Sequence, residues 1–124
     1  MIADRNRHVR DFLRRELLAE GYQVEAARDG REVLHLINGG DPPQLVILDL
    51  EIPYLDELEV LSRVGAHHPP IPVIIHTLLP EHPTRLAWPQ AAAVLEKRGD
   101  TDLLKTVVAE VLGQRQPEQA APAQ

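Results

Sequence analysis

The stretches QLVILDL (44–50) and IPVIIHT (71–77) carry apolar runs without the polar–apolar alternation of a half-exposed strand. Strands of that kind are covered on both faces, which confines them to parallel sheets flanked by helices. AAAVLEK (91–97) is a third and weaker run, MIA (1–3) is a short one, and YQVEAA (22–27) alternates like an edge strand. Helical spacing fills the intervals. Residues 7–20 place Val9, Phe12, Leu13 and Leu17 on one side, with Gly21 as a stop. DGREVLHLING (29–39) opens on Asp29 and Gly30 and closes on glycines. Asp56 caps a helix carrying Leu58, Val60, Leu61 and Val64, with Glu59 as a capping-box partner. A last helix, about 101–112, aligns Leu103, Leu104, Val107, Val108 and Val111. Strands alternating with helices predict an α/β fold, a five-stranded parallel sheet with helices on both faces and right-handed crossovers. One connection breaks the pattern. LLPEHPTRLAWPQ (78–90) contains Pro80, Pro83 and Pro89 and has room for only a short helix. Residues 1–112 therefore read as one domain, and GQRQPEQAAPAQ (113–124) as a disordered tail or the start of a linker.

Composition narrows the function. The chain's 124 residues suffice for one core without covalent staples. Cysteine is absent, which excludes disulfides and thiolate metal sites and fits a reducing, cytoplasmic setting. A net charge of −6 and 3% aromatic residues argue against a nucleic-acid surface. Charges begin at Asp4, and no window has the length of a signal peptide or a membrane span. His8, His35, His67 and His68 have no partners at metal-ligand spacing and read as surface residues.

Ligands of a doubly wound sheet lie outside the carboxyl ends of its strands. The first predicted strand ends in Asp4, the third in Asp49, the fourth in Thr77 and the fifth in Lys97. Each has an ordinary explanation as a cap or turn residue, but their convergence at one sheet edge does not. A carboxylate can hold a phosphoryl group as an aspartyl phosphate. A lysine balances the charge, a hydroxyl donates to a phosphoryl oxygen, and a second carboxylate helps to hold a metal.

The segments IAD (2–4), LVILDLEIP (45–53) with LDELEVL behind it, VIIHT (73–77) and VLEK (94–97) resemble the receiver domain of two-component response regulators. The resemblance runs in order from Met1 to about Leu112. It implies a flavodoxin-like (βα)₅ fold with strand order 2-1-3-4-5. It also implies that Asp49 accepts a phosphoryl group from the phosphohistidine of a sensor kinase or phosphotransfer protein. Thr77 would follow that group and Lys97 would pair with it. Mg²⁺ would be held by Asp4, Asp49 and the backbone carbonyl of Glu51. Output would pass through protein contacts with a downstream target, and a homodimer stays open.

Several positions depart from the family pattern. Arg5 stands where the family's second acid, the main metal ligand, belongs. Asp4, Asp49, Arg5 and Lys97 then carry no net charge, whereas three acids and a lysine carry two negative charges. Reversing one charge at roughly 5 Å, with an effective dielectric of about 20, opposes a dication by several kcal/mol as an upper bound. Weak Mg²⁺ binding is expected, with Arg5 paired to Asp49 or acting as a bidentate donor to the phosphoryl group. Leu78 replaces a small residue, Val94 the usual switch aromatic, and Arg98 the proline after the lysine, so the standard switch surface is altered. Two receiver readings stay open: an acceptor at Asp49, and a pseudo-receiver that binds its partner without phosphorylation. The protein is not expected to be an enzyme. An aspartate-nucleophile phosphatase is a remote third reading, since it needs a second aspartate where Glu51 stands.

Overall fold

The apolar runs form the middle of a sheet. The computed structural model describes residues 1–78 and 90–115. The proline-rich connection at 79–89 and the chain end at 116–124, with the expectations made for them, lie outside the described residues. The described elements are β1 (Ile2–Ala3), α1 (Arg7–Ala19), β2 (Ala26–Ala27), α2 (Gly30–Ile37), β3 (Val46–Leu48), α3 (Glu57–Ala66), β4 (Val73–Thr77), β5 (Ala93–Glu96) and α4 (Asp102–Arg115). All strand pairs are parallel, in the order β2-β1-β3-β4-β5, as the resemblance implied.

Two apolar layers explain why the central strands show no alternation. Val46, Leu48, Val73 and Ile75 pack on one face with Val33 and Ile37 of α2 and Val60 and Val64 of α3. Ile2, Ile47 and Ile74 pack on the other with Leu13 and Leu17 of α1 and Leu104, Val108 and Val111 of α4. Asp56 caps α3 as expected, its Oδ1 accepting from the Glu59 N–H at 3.0 Å. Gly21 takes φ +95° just after α1, a left-handed conformation that suits glycine.

Two boundaries differ most from the sequence reading. The strand expected over 22–27 pairs only at Ala26–Ala27, because its neighbour β1 contributes just Ile2 and Ala3 to the ladder. Helix α4 continues to Arg115 instead of stopping near 112. Gly113 inside it weakens a helix by about 1 kcal/mol, too little to end one anchored by Leu104, Val108 and Val111.

The loop after β3 is fastened to α2. The Gly30 N–H donates to the Pro53 carbonyl at 2.8 Å. The Arg31 guanidinium lies over the Tyr54 ring, 3.9 Å from its centroid. Tyr54 itself has φ +56°, unusual for a residue with a side chain. Glu51, Pro53 and Tyr54 thereby keep a set position beside the carboxyl end of the sheet.

Candidate functional site

Strand register brings the sequence-predicted residues together. Ala3 is level with Leu48, and Leu48 with Ile75, so Asp4 and Asp49 leave the sheet side by side. Thr77 pairs with Glu96, which puts Lys97 one step beyond that pair. The Lys97 N–H donates to the Thr77 carbonyl at 2.6 Å. Its ammonium Nζ lies 2.7 Å from Asp4 Oδ2 and 3.3 Å from Asp49 Oδ2. Asp4 and Asp49 are 1% and 2% exposed, so a buried cation is what makes two adjacent buried acids tolerable.

Backbone N–H groups complete the cage. Asp49 Oδ1 accepts from Glu51 N–H at 3.0 Å, and its Oδ2 from Arg5 N–H at 3.3 Å. Asp4 Oδ1 accepts from Asn6 N–H at 2.8 Å, while its Oδ2 is matched by Lys97 through charge and not through a well-aligned hydrogen bond. Asn6 then caps α1, its Oδ1 accepting from the His8 and Val9 N–H groups. Asp4 thus helps to start the first helix as well as to line the site.

Arg5 sits at the mouth. Its Nε is 3.9 Å from Asp49 Oδ2, and its Nη2 donates to Glu51 Oε2 at 2.8 Å. Both side chains of the Arg5–Glu51 pair are about half exposed. Magnesium takes near-octahedral oxygen ligands and several waters. Here Asp4 and Asp49 already face an ammonium, Glu51 faces a guanidinium, and that guanidinium occupies the neighbourhood of Asp49. Among the described residues no group of three or more His, Cys, Asp or Glu side chains is arranged to hold a metal. The residues present do not fit a resident Mg²⁺.

The remaining positions lie around this centre. Thr77 is half-buried at the end of β4, and Leu78 after it is 55% exposed. Val94 packs against the layer beneath α2 and α3. Arg98 pairs with Glu96 on the surface, 3.5 Å away.

His76 escaped the sequence reading. It is 5% exposed, and its Nδ1 has no hydrogen-bond partner among the described residues. With Leu13, Thr101 and Leu104 it lines a cavity of about 10 Å³. The one available signal was a histidine inside an otherwise apolar run. Burial pushes its pKa from 6.5 down to about 4, helped by the Lys97 ammonium and opposed by the Asp4 and Asp49 carboxylates. The unfolded chain therefore binds a proton near pH 6.5 that the folded chain refuses until about pH 4. Stability contributed by neutral His76 is complete above pH 6.5 and is lost as pH falls toward 4, by at most about 3 kcal/mol. Urea unfolding of the native protein and of His76→Leu across this range tests the effect. The variant is expected to lose less stability on acidification, and parallel curves would contradict the assignment.

Comparison with known proteins agrees with the geometry. The family model of the response regulator receiver domain matches residues 1–109. The response regulator MprA of Mycolicibacterium vanbaalenii is 40% identical over 93 residues, covering 75% of this chain and 40% of that protein. Its counterpart in Mycobacterium bovis is 34% identical over 123 residues, covering 98% of this chain and 53% of that protein. The chain thus spans about half or less of the length of these relatives. Among solved structures, the response regulator TrrA of Thermotoga maritima, in complex with Mg²⁺ and BeF, superposes with a TM-score of 0.77. It is 29% identical, with 89% of this chain and 95% of that one covered. TrrA bound to the histidine kinase ThkA superposes with a TM-score of 0.74 at 29% identity, covering 90% of this chain and 95% of that one. A five-stranded sheet in the order 2-1-3-4-5, with two acids and a lysine gathered at its carboxyl end, and a family match over most of its length show that this chain belongs to the response regulator receiver domains.

Proposed function

We propose that this receiver domain takes a phosphoryl group on Asp49 from the phosphohistidine of a sensor kinase or phosphotransfer protein. One observation carries the reading: Asp49 is buried at the end of β3, with Lys97 3.3 Å from the oxygen that would meet phosphorus. An Asp49 oxygen forms the new bond to phosphorus, the P–N bond breaks, and the imidazole leaves with the electron pair. Lys97 offsets the charge gathered on the phosphoryl oxygens. The Thr77 hydroxyl, at the end of the neighbouring strand, is assigned to follow the phosphoryl group. The domain acts as the kinase's substrate and not as an enzyme itself. A phosphatase of this kind would need a second aspartate two residues after Asp49 as acid and base, and Glu51 stands there instead.

A second reading has its own support. The Arg5–Glu51 pair stands at the mouth of a site whose acid is only 2% exposed, which suits a pseudo-receiver that binds its partner without phosphorylation. Intact mass after incubation with acetyl phosphate and Mg²⁺ separates the two. One added phosphoryl group, absent from Asp49→Asn, is the expected result. An unchanged mass would favour the pseudo-receiver.

A further inference from the structure

We propose that Arg5 takes the place of the divalent cation, so that phosphoryl transfer to Asp49 needs no metal. This rests on Asp49 being the acceptor and says what neutralises the phosphoryl group once it arrives.

The position of Arg5 is the first support. Its backbone N–H already donates to Asp49 Oδ2, and its Nε stands 3.9 Å from the same oxygen. A small rotation of a half-exposed side chain would bring the guanidinium onto a group bonded there. Its chemistry is the second. A guanidinium offers five N–H donors in a planar fork that matches two phosphoryl oxygens, and the contact to Glu51 uses only Nη2. Charge is the third. An acyl phosphate on Asp49 carries two negative charges in place of one, so Asp4, the acyl phosphate, Arg5 and Lys97 together carry one negative charge, where without Arg5 they would carry two. Glu51 is then a placeholder, holding Arg5 in an exposed ion pair of the kind that contributes little. An incoming phosphoryl group, closer to Lys97 and richer in charge, displaces it.

With acetyl phosphate as donor, an Asp49 oxygen bonds to phosphorus and the P–O bond to the acetyl group breaks. Acetate leaves with the electron pair, and no proton moves. A cation near the phosphoryl oxygens is the only help that this balance requires.

The test follows the gain of one phosphoryl group by intact mass, in excess EDTA and in excess Mg²⁺, for the native protein, Arg5→Gln, Glu51→Gln and Asp49→Asn. Urea midpoints confirm that each variant is folded. The native protein is expected to label at rates within about twofold in the two conditions, and Arg5→Gln to lose about tenfold or more in EDTA, as for one charge-assisted contact removed. Glu51→Gln, which releases Arg5, is expected to label up to about fivefold faster in EDTA. Labelling of the native protein in Mg²⁺ alone would overturn the proposal and leave Asp49 as the acceptor. Equal EDTA rates for Arg5→Gln and the native protein, or slower labelling of Glu51→Gln, would also overturn it. No labelling in either condition would remove the acceptor reading, and this proposal with it.

Discussion

Replacing Arg5 by aspartate is expected to strengthen Mg²⁺ binding about tenfold or more, since about 1.4 kcal/mol is tenfold and the electrostatic change is larger. The substitution removes a cation whose Nε lies 3.9 Å from Asp49 and puts an anion in its place. It also releases Glu51 from its 2.8 Å pairing, leaving a further carboxylate at the same mouth. Lys97 remains, so the site does not become as acidic as a count of carboxylates suggests. Solvent screens part of the gain because Arg5 is half exposed. The measurement is a Mg²⁺ titration of both proteins at fixed ionic strength, with Asp49→Asn as the control that removes the acceptor carboxylate. Tight binding by the native protein, unchanged in Arg5→Asp, would mean that the guanidinium does not act on the site.

Gly30→Ala is expected to be the most damaging single-methyl change in the described residues. A Cβ at that position would collide with the Tyr54 carbonyl oxygen and stand 2.6 Å from Tyr54 C and 2.7 Å from Leu55 Cα. These are backbone atoms, so no flexible side chain can yield, and the loop after β3 must lift from α2. Overpacking of this severity costs about 3 kcal/mol or more, equivalent to a fall of about 2 M in the urea midpoint for a small domain. Gly40→Ala is the matched control, since nothing lies within 4 Å of its would-be Cβ. Similar midpoints for the two variants would show that the loop does not press on α2.

The central strands were legible because burial on both faces leaves a mark in composition. Leu45 to Leu48 and Val73 to Ile75 are apolar since no residue there meets water. The caps were legible for a different reason: Asp56 bonds to a backbone three residues away, so the motif is local. Asp4, Asp49 and Lys97 could be placed at one edge once strands were assigned, because register in a parallel sheet carries their side chains there together. The extent of β2 could not be read, since it depends on how many residues β1 offers in return. The hold of Arg5 on Glu51 was equally out of reach. Both belong to loops, and only the docking of Pro53 and Tyr54 against α2 decides where Glu51 points. His76 needed the sheet as well, because facing is meaningless for one residue of a run that is apolar on both sides.

The lysine that joins the two acids has a bearing on how the chain comes together. Asp4 and Asp49 lie in its first half, while the only ammonium within reach of both, among the described residues, arrives on the last strand of the sheet. Until β5 pairs with β4, the only cation beside the carboxylates of these two buried acids, among the described residues, is the half-exposed guanidinium of Arg5, 3.9 Å from Asp49, an arrangement that a closed core resists. A growing or truncated chain that stops short of residue 97 therefore has a reason to stay open at this end. Competence to receive a phosphoryl group would be the final property acquired, and it would certify that the sheet is complete.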